Sequence, residues 1–303
     1  MSFDKMDQVK ISIGLPVFNG EKFLIKKLES LLSQTFTNFE LIISDNASSD
    51  LTSKICKEFE KNDKRIRYFR QEKTIAPIMN FKYLLDKANS EYFLWTAVDD
   101  VLYPEFLEKN IKVIKNNEKV VSSISKMKLF GPTTEYMNSE NSNSSLFSRI
   151  HKKIYQKTGF QNTFPVSGNY ENRIKEYIKN IRHNQVLYGL YRTEQIKKSF
   201  VQDSFIGNDT AITFNLLKYG KIYVIDEILM EVYDGGMSRS GMIEVMEKMH
   251  QKNFGLIFPF LPFTIWCVQN LGMSIFMKNL LFFIKINLEG IFSLWIDILR
   301  KLR

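Results

Sequence analysis

The sequence predicts an α/β protein: a mostly parallel sheet flanked by helices, followed by an apolar helical appendage. Three observations predict it. From Val9 to about Ser125, short apolar runs alternate with amphipathic segments, the pattern of βαβ units. The stretch Tyr92 to Glu105, YFLWTAVDDVLYPE, carries an apolar run into two adjacent carboxylates, Asp99 and Asp100. Such a run suits a central parallel strand, and the carboxyl edge where the two aspartates fall is where open α/β sheets bind ligands. Paired carboxylates there are costly without a cation, and a divalent metal carrying a diphosphate is the natural candidate. Third, the composition changes after about residue 250 to runs of Phe, Leu and Ile. We therefore divide the chain at that point, into residues 1–250 and 251–303.

The elements follow from local chemistry. Val9 to Leu15 reads as the first strand, stopped by Pro16, which cannot donate to a ladder, and by the turn pair Asn19-Gly20. Leu24, Leu28, Leu31 and Leu32 recur at helical spacing and mark a first helix ending before Thr35. Phe39 to Ile43 is a second strand, and Ser48 or Ser49 can cap a helix bearing Ile55, Cys56 and Phe59. Ile66 to Phe69 makes a third strand, and Met79, Tyr83 and Leu84 a helix leading into the acidic strand, Tyr92 to Ala97. Pro104 and Glu105 suit a first helical turn. Val120 to Ser125 reads as a fifth strand, Ile174, Ile178 and Ile181 as a helix, and Val186 to Tyr191 as a strand. Ala211 to Leu217 is a helix, and Ile222 to Ile225 closes the sheet domain. Between Thr133 and Ser148 the chain is rich in Asn, Ser and Glu, either an exposed connector or a flap over a substrate.

Composition narrows the function classes. Hydrophobic residues make up 44% of the 303, ample for a core and against disorder. The cysteines, Cys56 and Cys267, lie far apart without metal-ligand spacing, which argues against a disulfide framework or a zinc site. A net charge of +9 comes from scattered lysines, which favours phosphate-bearing substrates or an acidic membrane surface over nucleic acid. The charged start MSFDKMDQVK has no apolar segment, so a cytoplasmic chain, peripheral on the inner face of the cytoplasmic membrane, is expected.

Phe254 to Met277 is uncharged but broken by Pro259, Pro262, Gln269, Asn270 and Gly272. Leu280 to Leu299 is apolar with Lys285, Glu289 and Asp297 set into it, and Arg300, Lys301 and Arg303 follow. Closely spaced prolines disfavour a plain span. The favoured reading is a pair of helices lying in the bilayer interface on Phe254, Phe258, Trp266, Phe282, Phe283 and Trp295. A helical cap on the sheet and a true span are the alternatives.

Three blocks, taken together, resemble family 2 glycosyltransferases over about residues 9 to 240. ISIGLPVFNGEKFLIKKLESLLSQTFTNFELIISDNASSD is similar to the nucleotide-binding start of those enzymes, including Pro16, Phe18, Asn19 and Glu21. YFLWTAVDD resembles their metal and sugar-nucleotide motif, and FIGNDTAITFNLLKYGKIYVIDEIL the segment holding their catalytic base. The resemblance implies a GT-A-like fold, a nucleotide-sugar donor and a glycan or lipid-linked acceptor. It implies that Asp45 meets the pyrimidine ring, where a carboxylate accepts the imide N–H and favours uridine. The alternative for Asp45 is a turn or cap residue, and Asp50 reads as a helix-start carboxylate.

The resemblance further implies that Asp99 holds Mg2+ or Mn2+ with the diphosphate and water, that Asp100 orients Asp99 or caps the next helix, and that Asn80 joins the donor site. Asp209 matches the base that deprotonates the acceptor during inverting attack; as an isolated residue it would read as a helix cap. The chain departs from the family pattern at Ala97, where an aspartate is usual, at Asn208, where a glutamate is usual, and at Ala76, where a glycine is common. Arg192 faces phosphate, acceptor or a surface ion pair, and the turn Tyr233 to Arg239 either closes over the diphosphate or is a bare turn. His151 and His183 have no partner at ligand spacing. Two other readings stand beside transfer: a nucleotidyltransferase, whose glycine-rich basic loop GLPVFNGEKF lacks, and a catalytically silent nucleotide-sugar-binding or scaffolding protein, which Ala97 keeps open.

Overall fold

Four parallel strands form the first half of an eight-stranded mixed sheet ordered β3-β2-β1-β4-β7-β6-β8-β5 in the computed structural model. The structure describes residues 10–132, 134–135, 163–181, 185–235 and 241–302. The strands are β1 (Ile11–Val17), β2 (Phe39–Asp45), β3 (Ile66–Arg70), β4 (Tyr92–Trp95), β5 (Val101–Leu102), β6 (Val120–Phe130), β7 (Leu190–Arg192) and β8 (Lys221–Tyr233). β7 runs antiparallel between β4 and β6, which restores β6 and β8 to the direction of the parallel half.

Alternation along the strands divides the core into two layers. Ile11, Ile13, Leu15 and Val17 of β1, with Leu41, Ile43, Tyr92 and Leu94, face the helices α1 (Glu21–Leu32) and α4 (Phe106–Lys115). The other face carries Ile42, Phe93 and Trp95 against α3 (Pro77–Lys87). There β1 presents only Ser12, Gly14 and Pro16, and a Cβ at Gly14 would lie 2.9 Å from the Phe93 ring. The helix α2 (Thr52–Asn62) covers β2 and β3.

The later half departs from the sequence reading in identifiable places. Strand β6 runs on to Phe130 and β8 to Tyr233, because the two pair along their whole length. Exposed Asp226 and Glu227 and a register shift at Ser125/Lys126 interrupt the apolar alternation, so the sequence reading ends these strands at Ser125 and Ile225. The expected strand over Val186 to Tyr191 splits into a 3-10 turn, Gln185–Tyr188, and β7. Neither Ser48 nor Ser49 caps α2; instead Asp50 Oδ1 accepts the Thr52 N–H at 3.0 Å, as a helix-start carboxylate does. Helix α4 begins at Phe106, just after the Pro104-Glu105 turn.

Helices α5 (Tyr170–Asn180), α6 (Thr193–Ser199) and α7 (Asn208–Leu216) pack on the second layer. The final segment comprises α8 (Met242–Lys248), α9 (Leu261–Leu271), α10 (Met273–Lys278) and α11 (Leu280–Lys301). Phe263, Trp266, Cys267, Leu271 and Phe283 of this segment are buried in the same core as Phe93 and Phe214. Trp266 and Phe283 are therefore core residues and not bilayer anchors, because the helices bring them against α7. No helix among the described residues is long and apolar enough to cross a membrane. The expected connector or flap at Thr133 to Ser148 lies outside the described residues, apart from residues 134 and 135.

Candidate functional site

The carboxyl edge of β1 and β4 opens into a cavity of about 610 Å³. Pro16, Val17 and Phe18 form one side, Asn46, Ile75, Pro77, Asn80 and Phe81 the next, and Ala97, Val98 and Asp99 the floor. Tyr188 and the end of α8, with Glu247, Lys248 and His250, complete the wall opposite. Three non-glycine residues with positive φ sit in or beside this lining: Asn19 (φ 47°), Ala47 (φ 61°) and His250 (φ 51°). Such conformations cost energy and persist only where surrounding bonds impose them.

Those bonds are visible around the first two. The loop after β1 and the loop after β2 interlock: the N–H groups of Asn19 and Gly20 donate to Ser48 Oγ at 2.9 Å and Thr52 Oγ1 at 2.8 Å, and Glu21 N–H donates to Asp50 at 3.1 Å. In return Asn19 Oδ1 accepts the Ser49 N–H at 2.8 Å, and the Glu21 carboxylate accepts the Leu51 N–H at 2.9 Å. The orphan donors of the α1 N-terminus are thereby satisfied by the neighbouring loop. Asn19 and Glu21 thus fasten two loops together, outside the cavity lining.

Asp45 also departs from its expected position. Its carboxylate is fully buried, with Oδ2 accepting from Tyr68 at 2.7 Å and Arg70 at 2.8 Å, and Oδ1 from the Ser48 N–H at 2.8 Å. The residue that reaches the cavity from this loop is Asn46, whose amide exchanges two bonds of 2.9 Å with the backbone of Ile75. Asn80 lines the cavity and pairs with Ser44, its Oδ1 accepting from the hydroxyl at 2.5 Å. Arg192 lies at the other end of the strands, where it donates to the carbonyls of Ile114 at 2.7 Å and Val120 at 3.2 Å. His151, His183 and Arg239 lie outside the described residues.

The acidic pair divides its work. Asp99 lines the cavity, whereas Asp100 is buried and accepts the Tyr233 N–H at 3.1 Å, which ties the motif to the end of β8. Asp100 does not cap α4. Beneath both lies Lys27, fully enclosed by α1 and donating to the Asp100 carbonyl at 3.1 Å. Burial pushes the Lys27 ammonium down to about 8, opposed by the charges of Asp100 and Asp99. Burial likewise pushes Asp100 up to about 7, with Lys27 pulling it down and Asp99 pushing further up. Asp99 is raised as well, chiefly by burial. Lys27 occupies the apolar stripe of Leu24, Leu28 and Leu31, and a lysine at that spacing was the available signal.

Asp209 stands in the first turn of α7, half-buried, after Gly207 in a left-handed conformation at φ 91°. A Cβ at Gly207 would lie 3.0 Å from the Phe263 ring, so α9 packs directly against the start of α7. Asn208 is buried and donates to the carbonyls of Val201, at 2.9 Å, and Asp203. A glutamate could not make those bonds, which accounts locally for the amide at this position. The phenol of Tyr188 is where the parts meet: burial raises its pKa, and Asp100, Asp99 and Asp209 each raise it further. Tyr188 is half-buried in the cavity lining, and the carboxylates of the β4 edge and of α7 disfavour its ionised form.

A divalent cation fits this floor in a restricted way. Among the described residues no group of three or more His, Cys, Asp or Glu side chains could hold a metal by itself. Asp99 offers one carboxylate, so Mg2+ or Mn2+ would need oxygens from a bound diphosphate.

The fold is GT-A-like, as comparison with solved structures shows. TarS of S. aureus, residues 1–349 in complex with UDP-GlcNAc, aligns with a TM-score of 0.60 at 19% identity over 87% of this chain and 67% of that one. The mannosyltransferase PcManGT of Pyrobaculum calidifontis, in complex with GDP-Man and Mn2+, aligns at 0.57 and 11% identity over 95% and 74%. Residues 12–197 match the family model "Glycosyl transferase family 2", and the chain belongs to that family. A Methanococcus voltae protein named dolichyl N-acetyl-α-D-glucosaminyl phosphate 3-β-D-2,3-diacetamido-2,3-dideoxy-β-D-glucuronosyltransferase is 29% identical over 234 residues, 74% of this chain and 66% of that one. Glycosyltransferase GlyA of Streptococcus pneumoniae is 33% identical over 106 residues, 35% of this chain but 15% of its own length. The chain thus spans less than two thirds of either relative, and the family match stops short of Asp209.

Proposed function

We propose that the protein is an inverting glycosyltransferase, taking a sugar from a nucleotide donor, UDP-linked, to a glycan or lipid-linked acceptor in cell-surface polysaccharide synthesis. The observation that carries this reading is the cavity of about 610 Å³ at the carboxyl edge of β1 and β4, lined by Asn46, Asn80, Asp99 and Tyr188, in a chain of this family. Asp99 in the cavity lining and Asp209 in the first turn of α7 suit a reaction needing charge compensation at the leaving diphosphate and a base at the acceptor. Asp209 takes the proton from the acceptor hydroxyl as its oxygen bonds to the anomeric carbon. The bond from that carbon to the diphosphate oxygen breaks on the opposite side, and the electron pair leaves with the diphosphate. Asp99 would hold Mg2+ or Mn2+, which when bound offsets charge on the departing diphosphate. TarS in complex with UDP-GlcNAc supports a UDP donor, and the name of the Methanococcus relative supports a lipid-linked acceptor.

A membrane surface fits the outer face of α11. Leu281, Ile284, Leu288, Phe292, Trp295, Leu299 and Leu302 recur every three or four residues and are all exposed, Phe292 at 68% and Trp295 at 60%. Lys285, Arg300 and Lys301 of the same helix supply positive charge, as a helix on an anionic bilayer requires. The reading places the chain peripherally on the inner face of the cytoplasmic membrane. Sedimentation with anionic vesicles, lost in Phe292→Glu/Trp295→Glu, checks it; binding that survives the double change contradicts it.

The test of the function is a thermal-shift screen of nucleotide sugars with and without Mn2+. Ligand at ~100 times its Kd stabilises the folded chain by about 2.7 kcal/mol. A UDP-sugar should raise Tm, more so with Mn2+, and be turned over. A chain that binds a UDP-sugar without turnover is the silent binder that Ala97 leaves open; one that binds none is neither.

A further inference from the structure

Resting on the donor-site reading above, we infer that His250 is a donor-binding residue, its imidazole directed to the diphosphate by the turn that ends α8. The turn closes with His250 N–H donating to the Glu247 carbonyl at 3.0 Å and Gln251 N–H to the Met246 carbonyl at 2.9 Å. That is the bonding of a helix end whose left-handed position glycine usually fills. Here histidine occupies it at φ 51°, and the residue is part of the cavity lining. A strained non-glycine residue at a ligand cavity is a reason to look for function.

The turn is also held in place from behind. Gln251 is buried; its Nε2 donates to the carbonyls of Gly255 at 2.7 Å and Pro259 at 2.9 Å, and its Oε1 accepts the Ile206 N–H at 3.2 Å. The Ser204 hydroxyl donates to the Met249 carbonyl. Ile206, Met246 and Leu294 pack together beneath. His250 therefore stands on a clamped turn fastened to the loop that leads into Asp209. The basic side chains in the cavity lining are Lys248 and His250, both on this wall, and Lys248 is paired with Glu244 at 2.6 Å. His250 is exposed and offers N–H donors to a ligand whose charge is concentrated in its diphosphate.

The experiment is calorimetric titration of UDP and of uridine, in Mn2+, into the wild-type chain and His250→Gly. Glycine accepts the left-handed backbone, so Tm should hold or rise while the imidazole is lost. Hydrogen bonds to charged groups make the expected loss of UDP affinity roughly tenfold or more, with uridine affinity unchanged. His250→Asn, which tolerates the same conformation and keeps a donor, should recover part of the loss. Unchanged UDP affinity in His250→Gly would overturn the inference, as would equal weakening of UDP and uridine. A wild-type chain that binds neither UDP nor GDP would instead bring down the donor-site reading itself.

Discussion

The cavity has two walls of different construction. The first, from Pro16 to Asp99, is built from strand ends and two interlocked loops, each close in sequence to the strand that delivers it. The second, from Tyr188 to His250, consists of a 3-10 turn and the end of a helix, held by contacts among segments far apart in sequence. The comparison teaches that one wall depends on local chain chemistry, whereas the other depends on tertiary packing by the C-terminal helices.

Substitutions on the two walls should separate accordingly. The largest effect is expected at Asp209: replacement by Asn should reduce turnover by roughly 10²–10⁴-fold, as for loss of a general base, with donor affinity kept. Steady-state kinetics with a UDP-sugar and Mn2+ checks this.

Lys27→Met tests the floor of the first wall, and its effect should depend on pH. At pH 8 Asp100 is ionised, and removing the partner of a buried charge should cost about 3 kcal/mol in urea unfolding. Asp100 is raised from 3.8 to about 7, so the folded chain holds a proton that the unfolded chain releases, and stability falls as pH climbs through that window. Lys27 is lowered from 10.5 to about 8, so its contribution has the other sign, and stability recovers between those values. The Lys27→Met deficit should therefore shrink towards pH 5, where Asp100 is neutral. A deficit independent of pH would contradict the pairing.

Gly207→Ala probes the second wall. Left-handed backbone and the Phe263 ring at 3.0 Å should together cost about 2 kcal/mol or more, and the start of α7 should shift, lowering turnover further. The smallest effect belongs to Asp50→Ala, which removes acceptors for the Thr52 and Glu21 N–H groups and should cost about 1 kcal/mol without changing kcat.

How much was legible follows the same division. The parallel strands, the first three helices and the place of Asp99 were readable because period and turn chemistry act over a few residues. Asp45 was readable as a residue of the second strand's exit, but two of its three acceptor bonds depend on Tyr68 and Arg70 from another strand. Tyr188 was hidden because its apolar neighbours Val186 and Leu187 resemble a strand, and only packing bends them into a turn. His250 and Gln251 carried no local signal, since their role depends on a helix end meeting the loop of Ile206. The apolar C-terminal segment was legible as such, but not its division into core residues such as Phe283 and an exposed stripe on α11.

Whether Asp99 and Asp209 serve one reaction is measured most directly by UDP affinity and turnover, with and without Mn2+, in Asp99→Asn and Asp209→Asn. The account predicts that Asp99→Asn loses the gain in affinity due to Mn2+, while Asp209→Asn keeps it and loses turnover alone. Retention of the full Mn2+ gain in Asp99→Asn, or wild-type turnover in Asp209→Asn, would contradict it.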